Sequence, residues 1–176
     1  MKFNVPTRDE VSTANQGLFD NLQKGLGMVP NLYAVMAHSD TALGNYLAFQ
    51  NAKTTFSNKE KQAVNLVVSQ VNECRYCQAA HTLLGTMNGL TEAQTIEIRK
   101  GGASFNPKLN ALVALAGEIT TKRGFASDST LNQFFEAGYT KGQVVELVML
   151  VAEKTAMNYL HAISQVEIDF PVAQAI

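Results

Sequence analysis

The amino-acid sequence predicts an all-helical protein, and the prediction rests on composition, helix-start motifs and helix-stop glycines. Alanine, leucine, glutamine, glutamate and lysine dominate, and no long alternating valine, isoleucine and threonine segment bounded by turn residues occurs. Capping boxes, in which a serine or threonine precedes a glutamate or glutamine in the first helical turn, mark helix starts at Ser57, Thr91 and Thr140. Glycines that follow apolar periodic runs predict helix ends at Gly101, Gly124 and Gly138.

In chain order, these signals divide the sequence into short-looped helices. Asn72 and Asp128 are expected to be simple N-caps of the helices that follow them. Residues 26–33 are expected to form a turn and a short helical piece, and the closing "DFPVAQAI" an irregular tail. The predicted helices lie near residues 11–24, 40–55, 58–71, 73–89, 92–100, 107–123, 128–137 and 141–163.

Composition bounds the class of protein. With 46% hydrophobic and 16% charged residues, the chain can bury a sizeable core, and its modest charge suggests that another subunit covers some apolar helix faces. The net charge is −1 with no run of lysine or arginine, which argues against a nucleic-acid partner. The N-terminal "MKFNVPTRDEV" has no apolar leader, and "VVELVMLVA" is too short for a membrane span. We therefore expect no membrane association and a cytoplasmic location.

The domain organisation is predicted to be a single domain over 1–176 with a faint internal repeat. The segment "SNKEKQAVNLVVSQVNECRYC" aligns with "TKGQVVELVMLVAEKTAMNYL" at an offset of 83 residues, with Tyr76 and Tyr159 at matching places. Each segment is a capped start followed by an apolar helix. We expect the half 1–100 to carry the cysteines and the half 101–176 to be a degenerate copy.

The chemistry-bearing motif is "CRYCQAAH", which holds both cysteines of the chain. If Asn72 caps a helix, Cys74 lies at its second position, and Cys74, Cys77 and His81 form one row on one face. The amide groups and positive dipole end of a helix start favour a thiolate, and a nearby imidazole can take its proton. The two sulfurs can also form a disulfide. The row therefore supports a thiol–disulfide cycle through a sulfenic acid.

Two other interpretations of this row compete with redox chemistry. A structural zinc site needs a fourth ligand, and the remaining histidines, His38 and His161, are isolated, so we expect no metal. Simple core packing accounts for a lone cysteine or histidine, but it favours no such spacing. A redox role is the best supported of the three, and no flavin, haem or nucleotide motif indicates a bound cofactor.

The motif, the preceding "KEKQAVNLVVSQVNE" and the upstream "GMVPNLYAVMAHSDTALGNYLAFQ" together resemble the alkylhydroperoxidase D-like branch of the carboxymuconolactone decarboxylase family. The resemblance runs from about Gly25 to Tyr159, and "VPNLY" is similar to its peroxidase-related subgroup. It implies an alkylhydroperoxidase D-like helical bundle with an internal two-fold repeat, assembled as a trimer or hexamer. It also implies an antioxidant peroxidase that uses a redox-active disulfide.

The resemblance further implies roles for individual residues. Cys77 matches the peroxidatic thiol, and Cys74 the more accessible resolving thiol. His81 matches the histidine that deprotonates Cys77. Tyr76 stands where the family has a histidine or tyrosine, and Gln62 stands where it has a glutamate that orients the histidine relay. Because glutamine cannot carry a proton, we expect slow turnover.

A second departure from the family pattern is Glu73, where relatives commonly have glycine. Its carboxylate disfavours a thiolate at Cys74, although a glutamate in the first helical turn also suits the helix dipole. The predicted function is a thiol-dependent hydroperoxide reductase whose electrons come from an external dithiol or lipoyl-type protein. The alternatives are a non-enzymatic redox sensor and a lactone decarboxylase that keeps two cysteines.

Overall fold

The computed structural model describes residues 2–176, and this part of the chain is helical, with no β-strand. A 3₁₀ turn at Arg8–Glu10 precedes the first α-helix. The α-helices are α1 (Thr13–Leu26), α2 (Asn31–Met36), α3 (Ala42–Gln50), α4 (Asn58–Val71), α5 (Arg75–Met87), α6 (Glu92–Arg99), α7 (Pro107–Thr121), α8 (Asp128–Glu136) and α9 (Lys141–Ser164). The all-α prediction is therefore confirmed.

The predicted helix starts hold where a capping box marks them. The boxes at Ser57, Thr91 and Thr140 are formed on both sides, so each N-cap oxygen accepts a backbone N–H and the side chain three residues on reaches back. The two simple N-caps are wrong. Asp128 is the first residue of α8, and Ser127 caps it. Asn72 ends α4, and α5 begins two residues later than expected.

The main core is built around α4, which packs against α5, α6, α7 and α9. Alanine, valine and leucine side chains on three sides of α4 are buried, so this helix is the central element of the bundle. The fully buried side chains around it come from several helices and include Val64, Leu66, Leu112, Leu115, Phe134 and Leu147. Burial of this central helix fixes the position of α5, which carries the cysteines.

The N-terminal helices form a second layer over this bundle. Phe19, Ala34 and Leu43, from α1, α2 and α3, are buried together in their own cluster. A further cluster joins Leu32 and Val35 of α2 to the start of α5 and to Met157 of α9. Helices α2 and α3 therefore cover the end of the bundle at which α5 begins, and α1 packs on α3.

Helix α9 keeps an apolar outer face. Val145 exposes 66% and Ile163 exposes 65% of its surface, and Val148, Met149 and Tyr159 between them are also exposed. Because these residues recur at helical spacing, they form a stripe along one side of the helix. Within residues 2–176, no helix combines the length and apolar character needed to cross a membrane.

Candidate active site

The two cysteines lie where α4 gives way to α5. Cys74 is the N-cap of α5, and its Sγ accepts a hydrogen bond from the backbone N–H of Cys77 over 3.3 Å. The pair forms a disulfide, with Cα atoms 5.3 Å apart. The sequence placed Cys74 at the second helical position; it instead occupies the position where a helix start offers its N–H groups to an acceptor.

A sharp reversal at Glu73 produces this placement. Glu73 adopts a φ of 55°, in the left-handed region, and its side chain is exposed. The next N–H, that of Cys74, donates to the carbonyl of Ser69 over 2.9 Å. Glu73 therefore precedes the helix and does not lie in its first turn. The left-handed conformation favours glycine, which gives a backbone reason for the glycine expected there in relatives.

Both sulfurs are buried. Cys74 exposes 2% and Cys77 exposes 3% of its surface, so within one chain neither thiol is the more accessible. The greater accessibility expected for Cys74 is therefore not found. Val166 of the C-terminal segment is buried in the same cluster as the pair, and Ile168 and Phe170 pack against that cluster. This segment follows α9 as an irregular tail, as predicted, and it covers the site.

The site imidazole has one fixed partner. His81 Nδ1 lies 2.8 Å from the amide oxygen Oε1 of Gln62 on α4. An amide oxygen only accepts, so Nδ1 carries the proton and Nε2 keeps its lone pair. Burial first, and then the positive charge of Lys154, hold the pKa of His81 well below its ordinary value. The imidazole is neutral at physiological pH, with Nε2 able to accept a proton.

The predicted row is thus partly assembled by direct contacts. Gln62 meets His81, and Cys74 meets Cys77, as the sequence suggested. Among the hydrogen bonds of residues 2–176, none joins His81 directly to either sulfur. A proton passing between them needs a bridging water or a rotation of a side chain.

Tyr76 points away from this row. Its hydroxyl oxygen accepts the N–H of Leu32, at the start of α2, over 3.2 Å. Its ring contacts Phe170 edge-on, with centroids 5.5 Å apart, and lies 5.3 Å from the ring of His161. Burial raises the pKa of the Tyr76 phenol above its ordinary range, so it stays protonated. These contacts connect α5 to α2 and to the tail.

Sequence reasoning missed a buried ion pair on α9. Glu153 and Lys154 are both buried, with Lys154 Nζ 3.6 Å from Glu153 Oε1. The same carboxylate oxygen accepts the hydroxyl of Tyr46 from α3. The available signal was two adjacent opposite charges directly after the apolar run of α9, where a buried charge needs a partner.

A cavity of about 220 Å³ lies beside this pair. Glu153 forms part of its wall, and Lys61, the neighbour of Gln62 on α4, forms another part. The other lining residues are mostly apolar and belong to α3, α9 and the chain after α3. Within residues 2–176, no three histidine, cysteine, aspartate or glutamate side chains converge as metal ligands would.

The chain is similar to known proteins in part of its sequence and in its fold. Residues 36–106 match the sequence model of the carboxymuconolactone decarboxylase family. The comparison with curated proteins found no match.

Solved structures similar to this chain share its fold over nearly its whole length. One is the alkylhydroperoxidase AhpD core of a peroxidase-related protein from Ralstonia eutropha JMP134, with a TM-score of 0.86 and 16% identity over 96% of this chain and 92% of that one. Another is a peroxidase-related protein from Silicibacter sp. TM1040, with a TM-score of 0.82 and 18% identity over 94% and 90%. A third is a cysteine-to-alanine variant of the debrominase Bmp8 with bound 2,3,4-tribromopyrrole, with a TM-score of 0.80 and 16% identity over 96% and 93%.

The architecture is an all-helical fold of the alkylhydroperoxidase AhpD kind. Residues 36–106 match the carboxymuconolactone decarboxylase family, and the fold over nearly the whole chain is similar to that of the alkylhydroperoxidase AhpD core.

Proposed function

We propose that the protein is a thiol-dependent hydroperoxide reductase that uses Cys74 and Cys77 as its redox pair. The observation that carries the proposal is the disulfide at the start of α5, with a neutral, tautomer-fixed histidine two turns into the same helix. Cysteine pairs at helix starts have lowered thiol pKa values, and a neutral imidazole can accept a thiol proton.

The proposed cycle begins with Cys77. His81 Nε2 takes the Cys77 proton through a water, and the thiolate attacks the distal oxygen of a hydroperoxide. The O–O bond breaks, the proton goes to the departing alkoxide, and Cys77 becomes a sulfenic acid. Cys74 then attacks this sulfur, water leaves, and the disulfide forms. The pair has lost two electrons, and the hydroperoxide has become alcohol and water.

The structure supports Cys74 in the resolving role by its backbone contact. A thiolate at Cys74 accepts the N–H of Cys77 and faces the positive end of the α5 dipole, so it is stabilised where it must attack. An external dithiol or lipoyl-type protein returns two electrons by thiol–disulfide exchange. Gln62 orients His81, and Tyr76 holds α2 and the tail in place over the pair.

The proposal includes a homo-oligomer, a trimer or hexamer, in the cytoplasm. The exposed apolar stripe on α9 supports a subunit contact, because a face of this kind is unfavourable in water. The single-domain organisation with a repeated helical unit stays a prediction. It is consistent with the starts of α4 and α9, both capping boxes, at Ser57 and Thr140.

Burial of both sulfurs favours a second candidate, a redox sensor. A pair covered by the tail could be oxidised once and change the contacts of Val166, Ile168 and Phe170 without turning over. The family also has decarboxylases, whose chemistry would not depend on Cys77.

Steady-state consumption of cumene hydroperoxide, with dihydrolipoamide as electron donor, distinguishes the peroxidase from the redox sensor and the decarboxylase. We expect turnover by the wild type and loss of turnover in Cys77→Ser. A control substitution away from the cysteines, Ser129→Ala at an exposed position of α8, should leave turnover unchanged. One oxidation without turnover identifies a sensor. Lactone decarboxylation that survives Cys77→Ser, without peroxide consumption, identifies a decarboxylase.

A further inference from the structure

Lys154, the buried cation on α9, lies one helical turn before a residue that packs against the redox pair. Lys154, Met157 and Asn158 share one face of α9, because they are separated by three and four positions. Met157 packs in the same cluster as Cys74 and Cys77. Asn158 donates to Ser69 Oγ over 3.2 Å and accepts from Asn72 Nδ2 over 3.0 Å. This face of α9 is therefore fixed against the junction of α4 and α5.

Burying the charged side chain of Lys154 costs free energy. It exposes only 3% of its surface, and its ionic partner, Glu153, shares its carboxylate oxygen with the hydroxyl of Tyr46. Burial lowers the pKa of Lys154, and the Glu153 carboxylate opposes that decrease. A buried ion pair adds little stability compared with apolar residues of the same volume. Stability alone therefore gives little reason for a lysine at this position.

His81 is the titratable group that this cation reaches. The positive charge of Lys154 lies close enough to lower the pKa of His81, in addition to the effect of burial. From α4 the imidazole meets Gln62, which does not titrate, and its own helix contributes the cysteines. Lys154 pairs with Glu153, and Tyr46 from α3 donates its hydroxyl to the Glu153 carboxylate. Lys154 is thus the one charged group identified as acting on His81 in residues 2–176.

We propose that Lys154 is a positioning residue that keeps His81 in its neutral, proton-accepting form, so that the imidazole can deprotonate Cys77 even in mildly acidic conditions. Two adjacent cations in a buried site repel each other, so the protonated imidazole is disfavoured while Lys154 is charged. The Glu153 carboxylate favours the charged form of the lysine, and the Tyr46 hydroxyl donates to that carboxylate. This inference rests on the proposed function, in which His81 is the base.

The inference is tested by measuring the pKa of His81 itself. The pKa of His81 is followed by NMR of ¹⁵N-histidine-labelled full-length protein, with its signals assigned from His81→Gln. Lys154→Met, which keeps the side-chain volume, is compared with Lys154→Arg, which keeps the charge. The matched control is Lys122→Met, since Lys122 is also paired with a glutamate, Glu118, but on the exposed surface.

We expect the pKa of His81 to rise by about one unit in Lys154→Met and to stay near the wild-type value in Lys154→Arg and Lys122→Met. The acid limb of the pH profile for single-turnover oxidation by cumene hydroperoxide should move to higher pH by the same amount. An unchanged His81 pKa in Lys154→Met, or an equal rise in Lys154→Arg, overturns the inference. If Lys154→Met does not fold, Glu153→Gln with Lys154→Met removes both charges and must still raise the pKa.

The NMR measurement does not depend on turnover, so the two proposals fail separately. A wild type that consumes no peroxide contradicts the proposed function, whereas the effect of Lys154 on His81 is decided by the titration alone.

Discussion

Replacing Gln62 by glutamate would place a carboxylate where an amide now meets the imidazole. The Gln62 oxygen lies 2.8 Å from His81 Nδ1, so the carboxylate of Gln62→Glu would accept the same hydrogen bond and add a negative charge. An opposite charge at this range raises a histidine pKa by about 1–3 units. The carboxylate can also take a proton, which glutamine cannot do.

The gain in rate follows from general-base catalysis. A fully competent base contributes about 10²–10⁴-fold, and Gln62 already orients the ring, so we expect a gain of roughly tenfold. The assay is steady-state cumene hydroperoxide reduction with dihydrolipoamide, measured from pH 5 to 9, which is roughly the range over which histidines and thiols titrate. The acid limb should also move to higher pH as His81 becomes more basic.

Gln94→Glu makes the same chemical change in the capping box of α6, which accepts either residue, so its peroxidase rate should equal that of the wild type. A folded Gln62→Glu variant with a raised His81 pKa and no increase in rate would show that Gln62 does not limit the proton transfer.

Other predictions concern stability and access. Glu73→Gly should raise the melting temperature by about 2–4 °C in a thermal scan, because it relieves about 1 kcal/mol of left-handed strain, whereas Glu92→Gly in the first turn of α6 should lower it. Because the pKa of His81 is lowered on folding, the unfolded chain binds a proton that the native state does not, so stability should fall as pH decreases below about 6.5, by up to about 1.4 kcal/mol per pH unit. Urea unfolding at several pH values should show a shallower slope in His81→Gln. Phe170→Ala removes an aromatic contact with Tyr76 worth about 1 kcal/mol, so the reduced cysteines should react with iodoacetamide about fivefold faster.

Each of these outcomes can fail separately. An unchanged melting temperature in Glu73→Gly would mean that the left-handed residue is not strained. Equal acid slopes in wild type and His81→Gln would assign the pH dependence to other groups. Unchanged alkylation in Phe170→Ala would mean that the tail opens without breaking its contact with Tyr76.

The helical fold could be predicted because its signals are local. The capping boxes at Ser57, Thr91 and Thr140 depend on residues within one turn, and all three are formed. The start of α5 could not be placed, because Asn72 is a good N-cap in isolation. In the structure its amide donates to Asn158, a residue distant in sequence, and Cys74 takes the cap instead. A tertiary contact overrode a local preference.

In the candidate site, too, local pairings could be predicted from the sequence and contacts between distant residues could not. The pairing of Gln62 with His81 and of Cys74 with Cys77 followed from helical spacing and the family resemblance. The neighbours that come from distant parts of the chain could not be inferred from spacing. Lys154 reaches the site because α9 packs against α4 and α5, and Phe170 covers it because the tail folds back after α9.

The most direct test of the redox assignment is a mass-spectrometric experiment with one equivalent of cumene hydroperoxide. The reduced wild type should lose two hydrogens as Cys74 joins Cys77, and Cys74→Ser should instead gain one oxygen that dimedone traps on Cys77. A wild type that keeps both thiols free, or a Cys74→Ser protein with no trapped adduct on Cys77, would contradict the account.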